Sequence, residues 1–250
     1  MIKIDIKEVK GQIIKFIKDW FEDNGDGCNA VVGISGGKDS SVVAALCVEA
    51  LGRDRVIGVL MPCGEQSDID MSKKLVNYLG IKSYEININD SFQGTLRQMT
   101  MNKNNIKPSI QTIYNLQPRL RMASLYAVSQ SVNGRVAGTS NASEVYIGWE
   151  TRWGDSVADF EPIINLTASE VVELGRELGL PEELVIKVPS DGLTGKSDED
   201  NFGFTYSELD SYIRHGFIED IDHKRKIEEM HYKNIFKQQP IPFFNITELD

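Results

Sequence analysis

The feature that most constrains this 250-residue chain is a glycine turn between a predicted strand and a predicted helix. An uninterrupted apolar run at 30–34 is typical of a buried strand, and the residues from Ser40 onward are typical of the first turns of a helix. The turn between them reads Ser35-Gly36-Gly37-Lys38-Asp39. A helix that begins after such a turn presents unpaired backbone N–H groups, which can bind phosphate. The sequence therefore predicts a phosphate-binding loop at this point of the fold.

Asp39 does not suit a site that binds phosphate alone. The charge of Asp39 repels phosphate, so its presence indicates that a divalent cation lies between the two. The pattern also differs from the Walker A loop, because Lys38 is followed by Asp39 and no glycine stands at position 32. An ordinary glycine turn before a helix is the alternative, and the strand and helix around the turn make it the weaker interpretation.

Charge and cysteine content restrict the class of protein. The formal net charge is −10 and the basic residues are scattered, which argues against a surface for nucleic acid or membrane. The three cysteines form no Cys-x-x-Cys pair, as is typical of a reduced cytoplasmic enzyme. No apolar run approaches the ~20 residues that span a bilayer. We therefore expect a cytoplasmic protein with no nucleic-acid or membrane partner.

Strand and helix patterns alternate along the first half of the chain. Strands are predicted at 30–34, 56–61, 84–88 and 135–138. Helices are predicted from residue 8 onward and at 39–51, 69–79, 91–101, 115–133 and 168–178, with capping boxes at 167–170 and 205–208. This order predicts one α/β domain over residues 1–250, with a doubly wound, mostly parallel sheet, helices on both faces and a C-terminal helical region. Ligands of such sheets bind beyond the carboxyl ends of the strands, where Ser35, Met61 and Thr139 would emerge.

A second strand-to-helix turn follows the last predicted strand. It reads Gly138-Thr139-Ser140-Asn141-Ala142-Ser143-Glu144. Glu144 would lie at the same sheet edge as Asp39, and the two carboxylates could hold one or two Mg²⁺ ions against a triphosphate. A carboxylate that only stabilises the start of a helix is the alternative for Glu144.

Arginines in two other segments are candidates for binding an anionic ligand. Arg119 and Arg121 diverge by roughly 200° on a helix, so one can face the cleft while the other binds a neighbour. Arg152 lies between two tryptophans and is followed by Gly154 and Asp155. Aromatic faces suit a flat ring and a guanidinium suits phosphate or carboxylate. Surface ion pairs and an ordinary packed loop are the alternatives.

The stretch at 189–200 is rich in glycine and acidic residues and is too long for a simple connector. It predicts a mobile lid, with a solvated loop as the alternative.

Together these segments resemble the ammonia-dependent NAD synthetases, a family of N-type ATP pyrophosphatases that split ATP between its α- and β-phosphates. The resemblance extends over nearly the whole chain. It is carried by the loop at 35–40 and by the segments 117–122, 138–144, 154–155, 189–190, 196–200 and 202–210. It implies an adenine nucleotide alpha hydrolase-like fold and a ligase that forms a C–N bond.

The reaction implied by the resemblance is the amidation of deamido-NAD, which is nicotinic acid adenine dinucleotide. Its nicotinate carboxylate would attack the α-phosphate of ATP, giving an acyl-adenylate and pyrophosphate. Ammonia would then displace AMP to leave NAD. The resemblance thus implies ATP, deamido-NAD and ammonia as partners, Mg²⁺ as the metal, and a homodimer.

The resemblance also implies a role for particular residues. The ATP-binding set is Gly33, Ile34, Ser35, Gly36, Gly37, Lys38, Asp39, Ser40, Thr139 and the lid residue Ser190. Asp39 and Glu144 are the implied metal ligands. The set implied to bind deamido-NAD is Arg119, Arg152, Asp155 and Lys237. Asp39 and Asp155 are the implied catalytic residues, and Asp155 would steer ammonium and take its proton.

This chain departs from the family pattern at Ala168, where a lysine commonly contacts an ATP phosphate. Lys38 or Lys196 is the predicted replacement for that positive charge. Two alternatives remain open: another N-type ATP pyrophosphatase, such as a tRNA thiolation enzyme or a different amide-forming ligase, and a nucleotide sensor without catalytic activity. A thiolation enzyme would need a working cysteine pair and a basic RNA-binding face, and the sequence shows neither. We expect free ammonia to be the nitrogen source.

Overall fold

A four-stranded parallel sheet forms the centre of the molecule. The computed structural model describes residues 4–66, 69–101, 103–104, 106–186 and 197–244. The strands are β1 (Asn29–Gly33), β2 (Val56–Leu60), β3 (Lys82–Glu85) and β4 (Gly134–Ala137), in the order β3-β2-β1-β4. The helices are α1 (Ile6–Asn24), α2 (Lys38–Leu51), α3 (Ile69–Leu79), α4 (Asn89–Met101), α5 (Ile110–Ser131), α6 (Ala142–Ile147), α7 (Ala168–Glu177), α8 (Glu182–Val185), α9 (Asp198–Phe202), α10 (Tyr206–His215) and α11 (Ile221–Asn234).

Helices cover both faces of this sheet, as the alternation of patterns predicted. Neighbouring residues of β1 point to opposite faces. Val32 joins the larger core, to which α1, α2 and α7 contribute, whereas Val31 packs in a smaller cluster with Leu125 of α5. All of β2 is buried, as is typical of a parallel strand that is covered on both sides. The predicted fold class is confirmed.

The strand order places a topological switch between β1 and β4. The chain passes from β1 to β2 and β3 on one side and returns with β4 to the other side of β1. The connections that leave β1 and β4 therefore diverge and open a crevice at the carboxyl edge, which is where sheets of this kind bind ligands. The glycine turn follows β1 at this edge, and Thr139 follows β4.

Two elements have a bound that differs from the predicted one by three residues or more. Helix α5 begins at Ile110 rather than near 115, because the hydroxyl of Ser109 accepts a hydrogen bond from the N–H of Thr112 over 3.1 Å and caps the helix. The third strand is Lys82–Glu85 rather than 84–88. Alternation of isoleucines set the predicted bounds, whereas backbone pairing with β2 sets the observed ones.

The C-terminal region is helical, as predicted. Thr167 and Thr205 begin α7 and α10 with the expected capping boxes, and a third capping box, from Ser197 and Asp200, begins α9. The stretch predicted as a lid therefore includes the first residues of α9 at 198–200, where the local Ser-x-x-Asp pattern starts a helix. The rest of the predicted lid, including Ser190 and Lys196, lies outside the described residues. None of the described helices has the length and apolarity needed to cross a membrane.

Candidate active site

The loop between β1 and α2 is organised by its own hydroxyl groups. The Oγ atom of Ser35 accepts a hydrogen bond from the N–H of Gly37 over 3.2 Å and lies 3.1 Å from the Oγ atom of Ser40. Gly37 is the N-cap residue of α2 and has no side chain with which to cap it. A glycine cap leaves the first N–H groups of a helix to solvent or to a ligand, so this geometry suits an anion.

Gly36 brings this loop into direct contact with α3. Its φ of +74° lies in the left-handed region, and a Cβ atom there would lie 2.9 Å from both the Cβ atom of Met71 and the backbone N of Ser72. No side chain larger than hydrogen fits without moving α3 away from the loop.

Replacing Gly36 by alanine is expected to cost more stability than the same change at Gly216. Both glycines have a positive φ, so each substitution carries a strain of about 1 kcal/mol. Gly216 has open space around its Cα, so only the change at Gly36 adds a steric clash. Urea unfolding of the two variants measures the difference. Equal losses would show that α3 does not pack against the loop as described.

Asp39 is held from two sides in the first turn of α2. Its Oδ2 atom lies 2.8 Å from Nζ of Lys38, and its Oδ1 atom accepts a hydrogen bond from Nδ2 of Asn141 over 3.0 Å. Lys38 is 5 % exposed, and its Nζ atom lies 5.6 Å from the ring centroid of Tyr206. Burial by itself would lower the pKa of Lys38, but the charges of Asp39 and Glu144 raise it above its ordinary value. Lys38 is therefore a buried cation at the start of α2.

Glu144 lies in the first turn of α6, close enough to Asp39 for the charges of the two carboxylates to interact. Burial, and then the charge of Asp39, raise the pKa of Glu144 well above its ordinary value, while Lys38 opposes the shift. No group of three or more His, Cys, Asp or Glu side chains within the described ranges could form a metal site by itself. Two carboxylates that share a cation with phosphate oxygens are a usual arrangement for Mg²⁺. The pair therefore fits a magnesium ion that arrives with a phosphate ligand.

Asp155 lies in the loop that follows α6. Its Oδ1 atom accepts a hydrogen bond from the N–H of Thr151 over 2.9 Å. The surrounding protein raises the pKa of Asp155, and the hydrogen bonds from Thr151 oppose that shift. The side chain nevertheless reaches solvent. Beside it, burial and the charge of Asp155 raise the pKa of Glu150 to about 7.

The two arginines of α5 point to different partners, as their spacing predicted. Nε of Arg121 donates to the carbonyl oxygen of Met61 over 3.0 Å and thus binds the residue that follows β2. Arg119 donates to the carbonyl oxygen of Arg152 through Nε at 3.3 Å and Nη2 at 3.2 Å. Arg121 therefore binds a neighbouring strand end, and Arg119 reaches the loop that carries Asp155.

The segment after α11 lies across the same loop. Nζ of Lys237 donates to the carbonyl oxygens of Gly148 and Glu150 over 2.7 and 2.9 Å. The Arg152 guanidinium lies 5.5 Å from the ring centroid of Phe236, and its Nη2 atom donates to the carbonyl oxygen of Gln239 over 3.2 Å. The four residues that the resemblance assigns to the substrate thus all meet at the loop 148–155.

Sequence reasoning missed several polar residues around the carboxylate pair. Tyr206 and Asp198 lie together, with the Tyr206 hydroxyl donating to Oδ2 of Asp198 over 3.0 Å, and burial raises the pKa of Tyr206. Asn141 is fully buried. Asn141 lies inside the predicted turn at 138–144, Tyr206 lies in the predicted capping box at 205–208, and Asp198 lies in the stretch predicted as a lid.

The start of α7 explains how alanine is accommodated at position 168. The N–H of Ala168 donates to Oγ of Ser143 over 2.9 Å, and that hydroxyl donates to Oδ1 of Asp210 over 2.5 Å. The other carboxylate oxygen of Asp210 accepts from the N–H of Ser169 over 2.9 Å. A buried carboxylate of the chain itself therefore occupies the helix start where the resemblance places a lysine.

A glycine loop and a pair of carboxylates at the switch point of a parallel sheet define the general class of α/β proteins that bind a nucleotide through its phosphates. The family model described as NAD synthase matches residues 9–241. The chain belongs to the NAD synthase family, whose members use ATP as a co-substrate. The predictions of family and of enzyme class, a C–N ligase, are confirmed.

Relatives and solved structures agree with this assignment. The chain is 38% identical over 203 residues to the NH(3)-dependent NAD(+) synthetase of Carboxydothermus hydrogenoformans, covering 79% of this chain and 83% of the relative. The structure of NMN synthetase from Francisella tularensis superposes with a TM-score of 0.89 at 31% identity, covering 98% of this chain and 100% of that one. The NH3-dependent NAD synthetase of Campylobacter jejuni, solved with a nitrate ion, superposes with a TM-score of 0.78 at 26% identity, covering 97% and 100%.

Proposed function

We propose that this protein amidates deamido-NAD with ammonia and ATP to give NAD, AMP and pyrophosphate. The observation that carries the proposal is the arrangement of two sets of groups around α6. Asp39 follows the glycine loop in α2 and accepts a hydrogen bond from Asn141, the N-cap residue of α6, and Glu144 lies in the first turn of α6. The loop that carries Asp155 follows the other end of α6. The proposed phosphate-binding loop therefore contacts the first turn of α6, and the proposed proton acceptor follows the end of the same helix.

The reaction consists of two displacements, the first at the α-phosphorus of ATP and the second at the acyl carbon of the adenylate. A carboxylate oxygen of the substrate attacks the α-phosphorus of ATP, and the bond to the β-phosphate oxygen breaks to release pyrophosphate. The nitrogen of ammonia then attacks the acyl carbon, and the carbon–oxygen bond to AMP breaks. The first step is required because an unactivated carboxylate has no leaving group. Positioning and charge neutralisation supply most of the catalysis in such transfers.

Asp39 and Glu144 would hold Mg²⁺, which would neutralise charge on the triphosphate. Lys38 adds a permanent positive charge beside them, and this supports the prediction that it replaces the lysine absent at position 168. The N–H groups at the start of α2 would bind phosphate oxygens, as part of the set Gly33, Ile34, Ser35, Gly36, Gly37, Lys38, Asp39 and Ser40. Thr139 would meet ATP from the end of β4.

The loop 148–155 would bind the second substrate. Nε of Arg152 is buried and has no hydrogen-bond partner among the described residues, so an anionic group of the substrate would satisfy it. Arg119 and Lys237 hold the backbone of the same loop and place positive charge beside it. Asp155, an exposed carboxylate with a raised pKa, is suited to attract ammonium and to accept its proton.

A homodimer is part of the proposal. Large apolar side chains are exposed along α4, α5 and their connection, namely Met101, Ile106, Ile110 and Ile113. Exposed apolar surface of this kind is typical of a protein interface, and a second copy of the chain would cover it. Light scattering coupled to gel filtration tests this state. The cytoplasmic location stays a prediction.

A mononucleotide substrate is the second candidate. The observation in its favour is the TM-score of 0.89 to a protein described as NMN synthetase, over 98% of this chain. Deamido-NMN carries the same nicotinate carboxylate as deamido-NAD, so the two reactions differ only in the adenylate half of the substrate.

Pyrophosphate release with ATP, Mg²⁺ and ammonium tests both candidates in one assay. Deamido-NAD or deamido-NMN is supplied in turn, and mass spectrometry identifies the amide. The proposal expects release that depends on deamido-NAD, with a higher kcat/KM than for deamido-NMN. The opposite preference would assign the protein to the mononucleotide. Nucleotide binding without release from either would support the sensor alternative.

A further inference from the structure

Asn141 connects the two residues of the candidate metal site. It is the N-cap residue of α6 and is 0 % exposed. Its Oδ1 atom accepts hydrogen bonds from the N–H groups of Ser143 and Glu144 over 3.0 and 3.1 Å, and its Nδ2 atom donates to Oδ1 of Asp39 over 3.0 Å. One side chain thus contacts the backbone of one candidate ligand and the carboxylate of the other.

The orientation of the Asn141 amide follows from its neighbours. With the amide turned over, its NH₂ group would face two backbone donors, and its oxygen would face a carboxylate oxygen. Both contacts would be repulsive, so the observed orientation is the one that the surroundings permit. The NH₂ group therefore points at Asp39 whenever α6 is capped.

The hydrogen bond from Asn141 stabilises the carboxylate of Asp39, which repels the carboxylate of Glu144. Asp39 accepts this bond through Oδ1 and lies 2.8 Å from Nζ of Lys38 through Oδ2, so two donors hold its carboxylate at the start of α2. A hydrogen bond to an ionised acceptor is stronger than one between neutral groups. Asn141 therefore lets Asp39 and Glu144 remain close together before any cation binds.

The residues behind Asn141 keep it in place. The hydroxyl of Ser143 donates to the buried carboxylate of Asp210 over 2.5 Å, and Asp210 also accepts from the N–H of Ser169 at the start of α7. The first turn of α6 is thereby tied to α7 and α10. A shift of Asn141 would have to break these bonds as well.

We infer that Asn141 is a positioning residue that sets the separation of Asp39 and Glu144 for a metal-bound triphosphate. It does not itself bind the metal. The inference rests on the proposed function, and it assigns to Asn141 a role besides capping α6.

Asn141→Ser separates the two roles, because serine is a good N-cap residue but carries no amide donor to reach Asp39. Mn²⁺ binding is followed by electron paramagnetic resonance in the presence of α,β-methylene-ATP, which cannot be cleaved at the α–β linkage. Losing a hydrogen bond to a charged group is expected to weaken Mn²⁺ binding about tenfold or more. Asn141→Thr, a second N-cap residue without the amide, repeats the measurement should the serine variant fail to fold.

Asn29→Ser is the matched control. Asn29 also donates through Nδ2, to the carbonyl oxygen of Val132 over 2.6 Å, but it lies at the opposite end of the sheet. It is expected to lower the melting temperature and to leave Mn²⁺ affinity unchanged. If the Asn141 variants bind Mn²⁺ as tightly as the wild type while melting earlier, Asn141 only caps the helix and the inference is overturned. If the wild type itself takes up no Mn²⁺ with the analogue, the proposed metal site fails and the inference fails with it.

Discussion

Replacing Asp39 by asparagine is expected to lower kcat for pyrophosphate release by about 10³-fold, the usual scale for removing a group that stabilises transition-state charge. The change removes one of two carboxylates available for Mg²⁺ and leaves the adjacent Lys38, which is 5 % exposed, without its ion-pair partner at 2.8 Å. The measurement is the steady-state rate with ATP, deamido-NAD and ammonium over a range of Mg²⁺ concentrations. Higher Mg²⁺ is expected to recover only a small part of the activity.

Two further variants separate loss of the metal ligand from loss of stability. In the double variant with Lys38→Met and Asp39→Asn, the buried cation is removed together with its partner, so stability is expected to recover while activity stays low. Asp220→Asn makes the same carboxylate-to-amide change at the N-cap of α11 and is expected to keep full activity. Wild-type NAD production by Asp39→Asn would refute the proposed role of the carboxylate pair.

Asp155→Asn is expected to slow the attack of ammonia by about 10²- to 10³-fold and to leave adenylate formation largely intact. The carboxylate is suited to attract the ammonium cation and to accept its proton, and an amide does neither. A rapid-quench experiment separates the two half-reactions. It is expected to show a burst of pyrophosphate close to one equivalent per site, followed by slow formation of the amide.

Hydroxylamine provides a chemical control for this variant. It is a nitrogen nucleophile that is largely unprotonated at neutral pH, so it does not need a base to release its lone pair. It is expected to restore most of the second half-reaction in Asp155→Asn, with the hydroxamate as product. Equal loss of both half-reactions, together with no rescue, would instead place Asp155 in binding of the dinucleotide.

Much of the local structure around the candidate site was predictable because its signals are local. The run from β1 through Gly36 and Gly37 into α2 specifies a strand, a glycine turn and an uncapped helix start within a few residues. The capping boxes at Thr167 and Thr205 depend on a side chain and a backbone group three positions apart. The cap at Ser197 has the same form with aspartate in place of glutamate, but it falls inside the stretch predicted as a lid.

The sequence by itself determined the order of strands and helices, the glycine turn after β1 and the family, because each depends on neighbours along the chain or on motifs in a set order. Only the tertiary structure decided which distant groups meet. Asn141 and Asp39 are 102 residues apart and share a hydrogen bond because β4 returns beside β1. Burial of Lys38 beneath Tyr206 likewise depends on how α10 packs against α6 and α7. Such contacts are set by strand order and packing, which no local pattern encodes.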